Sequence, residues 1–487
     1  MSCIIFRKSD RNHKVRMLTM FSLLSLPFAS QSGEWILSPS IAIDEVYTDN
    51  ALLTSEDKQD EYVTRVRPSV SIFREGARAN LDFNYSPEYR YYKEETRDNE
   101  TVHLLRANGD VELVENHLFI DAWATSDQTQ ISSSRTSPDG LTGSSENIDY
   151  YTVGVSPYYT TRFGNVSVLE ARYAGDKVDY EDQDGVDSTD STSHEFDLIL
   201  GSGTYTTSQA WELSASHTVE DYTGSSDDNN KISIFRGEFL QQISRQWAVA
   251  FAAGYEDYDL IIGESVDGEL WSIGIVFTPT SRTRFALGGG ERAFGDDYYL
   301  NFEHSSSRSV WSIDYKRDYI SARDEATRPT LFQRQDEFGN VVRDAVLDSP
   351  PSVTVTGVST LSAEYFESDR VTASYVFRTQ RTRAELRAGF LKRDYEISTQ
   401  DTQDTTASVS LYRLITRKFS GIAQFHWRDH EEELQDYKEW TASLGLNYLL
   451  GAQTTLSSSV THLDREGETE LATYEENRVN LGFLMRF

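Results

Sequence analysis

The chain has 487 residues but one cysteine, four methionines and ten prolines. Beyond Phe28 no apolar run approaches the ~18 residues that a membrane-spanning helix needs. Cys3 lies in the N-terminal basic and apolar stretch, so the rest of the chain can hold neither a disulfide framework nor a cysteine-ligated metal. Positive charge is also short: 46 Lys and Arg against 78 Asp and Glu leave a formal net charge of −32. That balance argues against nucleic acid as a partner, because phosphate recognition needs surplus Lys and Arg. Mean hydropathy is low, at −0.53, yet aromatics reach 12%, with 27 Tyr and 24 Phe. Disordered acidic chains are poor in aromatics, so this one folds.

The N-terminus reads as a secretory signal over residues 1–30. Arg7, Lys8, Arg11, Lys14 and Arg16 precede the apolar stretch Met17 to Phe28. Small residues Ala29, Ser30 and Ser32 follow, and cleavage is expected between Ala29 and Gly33. The apolar stretch is too short for a comfortable membrane anchor.

What is present from Gly33 onward is alternation with period two. Between Ala77 and Tyr91, Ala79, Leu81, Phe83, Tyr85, Pro87, Tyr89 and Tyr91 are apolar or aromatic, and the residues between them are polar. Successive side chains of a strand point to opposite faces, so one face meets an oily phase and the other meets water. The pattern recurs at Trp247 to Tyr255, Trp271 to Phe277, Phe419 to Trp427 and Trp440 to Leu450. Helical spacing dominates no comparable window.

Short connections, such as Glu75–Gly76, Thr280–Arg282 and Thr416–Lys418, alternate with longer acidic ones at 49–60, 132–146, 181–192, 223–230 and 429–437. Short turns at one end and long loops at the other are the layout of an outer-membrane barrel. The sequence therefore predicts an all-β, transmembrane, antiparallel up-and-down barrel over 33–487, with about 22 strands (range 18–24). The stretch 321–368 breaks the rhythm, with Pro329, Pro350 and Pro351. A connection of that length is expected to be extracellular, as a lid or plug at the mouth or as a protruding loop. The chain ends in RVNLGFLMRF, with Phe483, Met485 and the terminal Phe487 on one face, which resembles the signal read by barrel assembly machinery.

Trp35 to Leu53, with Tyr47-Thr48-Asp49-Asn50 after an alternating strand, Glu75-Gly76-Ala77 in the first tight turn, and Phe487 carry a family resemblance. In these segments and in layout the chain resembles the PEP-CTERM/exosortase-associated outer-membrane β-barrel family (beta-barrel porin 2-like, from exopolysaccharide loci). The resemblance implies a barrel linked to export or assembly of surface polysaccharide. It brings no catalytic residues with it.

With the aromatic face toward lipid, the other face lines a lumen. That places Arg65, Arg67, Arg78, Arg90, Arg106, Arg282, Arg284, Arg378, Arg383, Arg387, Arg393 and Arg428 inside, with Arg282, Arg284 and Arg383 close to short turns. Asp82, Glu88, Asp110, Asp121, Asp197 and Glu385 face the same way. Two readings stay open: a positive track for the carboxylates or phosphates of a passing polymer, or a stiff wall of Arg–carboxylate pairs.

Asp182, Asp184 and Asp187 around Gly185 are faintly like a calcium loop but lack its spacing and terminal Glu. His426 and His430 would lie about 13 Å apart along a strand, too far for one metal. No nucleophile elbow, phosphate loop or zinc helix motif appears. No catalytic residue, cofactor or metal is therefore expected. The expected partners are outer-membrane lipid and lipopolysaccharide, the assembly machinery and an anionic polysaccharide. The leading reading is a porin-like channel linked to exopolysaccharide export; a non-conducting structural or assembly protein is second, and an outer-membrane enzyme third.

Overall fold

A strand with one oily and one wet face still carries unpaired N–H and C=O groups on both edges, and an edge exposed to hydrocarbon is untenable. The computed structural model shows how this chain removes its edges. It describes residues 34–487 apart from 131–136, 138–139, 144–146, 182–189, 204–207, 224–228, 322, 325–362, 398–400, 433–435 and 471. The expected signal segment, the residues of the calcium-like loop and most of 321–368 lie outside the described residues.

The first eleven strands are β1 (Glu34–Thr48), β2 (Glu61–Glu75), β3 (Ala79–Tyr92), β4 (Glu100–Val114), β5 (Leu118–Gln130), β6 (Asn147–Phe163), β7 (Ser167–Tyr180), β8 (Ser191–Ser202), β9 (Gln209–Tyr222), β10 (Asn230–Gln242) and β11 (Trp247–Asp259). The second half comprises β12 (Val266–Thr280), β13 (Thr283–Arg292), β14 (Gly295–Ser305), β15 (Ser309–Ser321), β16 (Tyr365–Arg378), β17 (Thr382–Tyr395), β18 (Thr402–Thr416), β19 (Phe419–Glu432), β20 (Tyr437–Leu449), β21 (Thr454–Gly467) and β22 (Tyr474–Arg486). Each pairs antiparallel with its sequence neighbours, and β1 closes on β22 from Ser40↔Arg486 to Thr48↔Arg478. The result is the closed barrel of 22 strands that the alternation predicts.

An unbroken register carries face parity round the whole circuit, because partners across a ladder share a face. Starting from Asp44↔Arg65, the inner face continues through Arg65↔Arg90 and Arg106↔Thr125, and returns through Asn480↔Val46. The oily positions of the sequence, from Ala79 to Tyr91 on β3 and from Trp440 to Tyr448 on β20, fall on the outer face. There, large apolar side chains such as Leu444, Trp271 and Phe251 stay about half exposed. Outer-face aromatic pairs include Trp247 against Phe277 and Trp311 against Tyr375, each with centroids 4.2 Å apart.

Two features depart from the expected layout. The connection expected at 429–437 is shorter, because Asp429↔Lys438 and His430↔Tyr437 continue the ladder. At the end with the long connections, β13 and β14 meet in a turn as tight as those at the other end, where Gly295 takes φ +121°. These two strands have 10 and 11 residues, against 15 in β2 and 17 in β6. Gly288, Gly289 and Gly290 give β13 little side chain to pack, and the Tyr299 ring lies across Gly288 and Gly274.

The register makes a sharp expectation. Leu444→Arg on the outer face should destabilise the folded barrel by about 2–4 kcal/mol, the cost of a cation at mid-bilayer depth. Ser443→Arg, one residue away on the inner face, should cost far less. Urea unfolding in lipid vesicles would compare them, and equal losses would show that the faces are misassigned.

Candidate functional site

The inner face is polar, and its chemistry begins with arginine. Register places Arg65, Arg67, Arg90, Arg106, Arg284, Arg378, Arg383, Arg387, Arg393 and Arg428 on it. Arg78 and Arg282 lie instead in turns between strands, where Arg78 pairs with Glu115 at 2.8 Å. Parity could not separate turn residues from strand ends. The carboxylates Asp82, Glu88, Asp110, Asp121, Asp197 and Glu385 share the inner face.

These groups come together as compact ion pairs. Arg67 meets Asp44 at 2.6 Å and Glu88 at 3.2 Å, and Arg65 lies within 4 Å of the same two carboxylates. Arg90 meets Glu88 at 2.6 Å and Glu100 at 3.1 Å. Across the circuit, Asp404 accepts from Arg428 (2.6 Å) and from His430 Nδ1 (2.8 Å), with Arg393 at 3.5 Å. His426 shares the inner face with His430, but His430 is turned to Asp404 and Glu432. Arg465 pairs with Glu439 at 2.5 Å and stacks over Tyr437 and Tyr474. A buried charge is tolerated when it is paired and hydrogen-bonded, which is the condition these clusters meet. Among the described residues, no group of three or more His, Cys, Asp and Glu side chains could hold a metal ion.

Connections at the long-loop end turn inward and add a second layer. On one side Leu53, from the β1–β2 connection, is fully buried against Leu463 and Tyr474. Leu141, from the β5–β6 connection, packs against Val46, Val63 and Tyr92. Its neighbourhood is fixed by polar contacts: Arg90 and Arg97 both donate to the Gly140 carbonyl, and Gly143 N–H donates to Ala51 O at 2.7 Å.

On the other side, the stems of the β15–β16 connection lean across the low wall at β13–β14. Tyr319 and Tyr365 pack with Tyr258 of β11 (centroids 5.3 Å and 6.3 Å from it), and Phe294 stacks on Tyr319. Arg323 reaches the inner face of β7 and β8, donating to Ser191 Oγ at 2.9 Å and pairing with Asp176. Asn230 of β10 donates to the Ala363 carbonyl at 3.1 Å. Glu396 then ties the rim together, accepting from Tyr319 Oη and from the Glu264 N–H, each at 3.2 Å.

Sequence reasoning singled out 321–368 as exceptional but not the residues that anchor it. The available signal was apolar residues inside otherwise polar connections, as at Ala51-Leu52-Leu53 and Leu141.

Comparisons place this architecture among known proteins. The family described as "Putative beta-barrel porin 2" matches residues 27–197. No curated protein matches the chain. Among solved structures, the FrpB iron transporter from Neisseria meningitidis (F3-3 variant) is similar with a TM-score of 0.54 at 10% identity, over 92% of this chain and 82% of that one. The siderophore receptor PirA from Acinetobacter baumannii gives 0.52 at 9% identity, over 92% and 80%. A ferric enterobactin receptor (PfeA) mutant from Pseudomonas aeruginosa gives 0.51 at 10% identity, over 93% and 80%. At such identities the likeness is one of fold.

The Asp404 cluster supplies a direct test of the wall. Asp404→Ala leaves the buried Arg393, Arg428 and His430 without their shared carboxylate and should cost about 3–5 kcal/mol in unfolding free energy. A loss under about 1 kcal/mol, typical of exposed pairs, would mean that lumenal water screens the cluster.

Proposed function

We propose that the chain is a porin-like channel of the bacterial outer membrane whose outer mouth is narrowed by its own connections. One observation carries the reading: a closed 22-strand barrel with an apolar outer face and a charged inner face. A barrel of that size encloses an aqueous lumen unless something fills it. Here the β1–β2, β5–β6 and β15–β16 connections send Leu53, Leu141 and Arg323 into the mouth. Solute passage then requires these tips to yield, and no step calls for a catalytic group.

Export of an exopolysaccharide fits the resemblance of the N-terminal strand and a lumen lined by hydroxyls and charged groups. The inner arginines are engaged by carboxylates, as Asp44, Glu88, Glu385 and Asp404 show, which favours a stiffened wall over a free anion track. The buried packing of the mouth favours a second reading, a non-conducting structural or assembly protein. Phe483 and Met485 lie on the outer face of β22, and Phe487, one residue past the strand, donates its N–H to Pro39 O at 2.9 Å beside the closing seam. We read them as the segment presented to the assembly machinery.

Planar-bilayer recordings of the refolded protein test the channel. Arg323→Ala combined with Asn230→Ala should give larger or more frequent conductance steps than the intact chain. Silence from both, with heat-modifiable migration showing correct folding, would establish the non-conducting reading. Deletion of Phe487 should lower the amount of barrel inserted in the membrane, measured by outer-membrane fractionation. Unchanged levels would remove the assembly role of the C-terminus.

A further inference from the structure

The short connections at one end of the barrel repeat a single build over half of the circuit. Five consecutive turns, from β10–β11 to β18–β19, carry Arg245, Arg282, Arg308, Arg381, Arg417 and Lys418 and no acid. In each turn a Ser or Thr Oγ accepts from the backbone N–H two residues on, at 3.2–3.4 Å: Ser244 from Gln246, Thr280 from Arg282, Ser306 from Arg308, Thr379 from Arg381 and Thr416 from Lys418. The carbonyls of Gln246, Arg282, Arg308, Arg381 and Lys418 are then stitched to the next hairpin. They accept from the N–H groups of Thr278, Ser305, Arg378, Leu414 and Leu449 at 2.7–2.8 Å. The five turns thus form one continuous rim.

The named Arg and Lys side chains of this rim are exposed, and among the described residues none has a carboxylate within ion-pair distance. The rest of the same end differs. Glu75 and Glu115 stand at its turns, and Arg78 is held by Glu115 at 2.8 Å. On a chain of net charge −32, a stretch of rim with positive charge alone marks a surface for an anion.

The outer face decides which anion. Directly above the rim it carries Trp247, Phe277, Phe285, Phe302, Trp311 and Phe419. An aromatic girdle marks the boundary between hydrocarbon and headgroups, so the cations just beyond it lie in the headgroup layer. The short-turn end of an outer-membrane barrel faces the periplasm, and that layer belongs to the inner leaflet. Arg413 is a separate observation. Its pairing with Thr382 places it on the outer face of β18, exposed between Leu411 and Ile415, again with no carboxylate within ion-pair distance among the described residues. A guanidinium there is out of reach of the lumen and extends along the oily face to the nearest headgroup.

We propose that the rim from β10 to β19 is a seat for the phosphates of anionic phospholipid in the inner leaflet, with Arg413 as its lipid-facing member. The forked guanidinium suits phosphate oxygens. Because the basic turns span half of the circuit, the barrel sorts lipid unevenly and gathers anionic headgroups on that side alone. The inference needs the barrel in a membrane and holds whether or not the lumen conducts.

The test releases the full refolded chain from mixed micelles of equal phosphatidylglycerol and phosphatidylcholine and counts the lipids it retains by native mass spectrometry. The intact protein should favour phosphatidylglycerol about fivefold, and less in high salt. Arg282→Gln with Arg308→Gln, Arg381→Gln and Arg417→Gln should cut the preference to under about twofold. Adding Arg413→Gln should remove the remainder. Arg→Lys replacement of the same four turn residues should keep the preference, and Arg78→Gln should leave it unchanged. Heat-modifiable migration checks folding, and a variant that fails it is replaced by its single substitutions.

An intact protein without preference, or a preference that survives all five Gln substitutions, would overturn the lipid seat. Equal retention of the two lipids, with block of ion current by a galacturonate hexamer that the Gln variants lose, would overturn it in favour of an acidic polymer entering the lumen.

Discussion

Everything in this molecule depends on the hydrogen-bonded seam between its first and last strands. A sheet of 22 strands left open would present two edges of unpaired backbone, and hydrocarbon offers those groups no partner. Closure of β1 on β22 from Ser40 to Thr48 removes both edges. It also fixes the parity of every strand between them, since a slip of one residue would turn a strand inside out. Gly482 sits at this seam opposite Asp44, where a Cβ would lie 2.5 Å from the Asp44 carboxylate. The smallest residue thus makes room for the acid that holds Arg67.

A soluble domain spends its oily side chains on a core, and this barrel turns most of them outward. The inside is consequently held by other means. Ion pairs anchored on neighbouring strands, such as Asp44–Arg67 and Glu439–Arg465, bridge the ladders from within. The apolar material that is buried collects in small clusters at the mouth, around Leu141, Leu53 and the Tyr258–Tyr319–Tyr365 group. The mouth is therefore the part of the molecule that most resembles an ordinary protein interior, and the part where tertiary packing beyond the ladders is concentrated.

The sequence carried the strand faces plainly, because alternation is a local property written into each segment. The outer face of β3 and β20 was legible residue by residue, and so was the inner placement of Arg90, Arg393 and Arg428. Arg78 and Arg282 were misplaced because alternation has no marker for where a strand gives way to a turn. The extension of β19 through Asp429–Glu432 was hidden for a related reason: acidic strand ends above an apolar belt look like loop. Which carboxylate each arginine would meet was illegible, since Asp44 and Glu88 come from the strands on either side of Arg67 and alternation does not fix how far each hairpin is offset. Least visible was the traffic of the connections. The meeting of Arg323 with Asp176 joins residues 147 positions apart, and no periodicity announces such a contact.

The short strands β13 and β14 give the rim an uneven height. With four to seven fewer residues than β2 or β6, the wall there stands lower by on the order of 10 Å. The opening of the barrel is therefore slanted, like the cut end of a quill. The stems of the β15–β16 connection roof that low side, with Tyr319 and Tyr365 against Tyr258 and Phe294 against Tyr319. The slant is therefore filled by stacked rings, and the shortest strands of the wall are the ones that carry a packed eave.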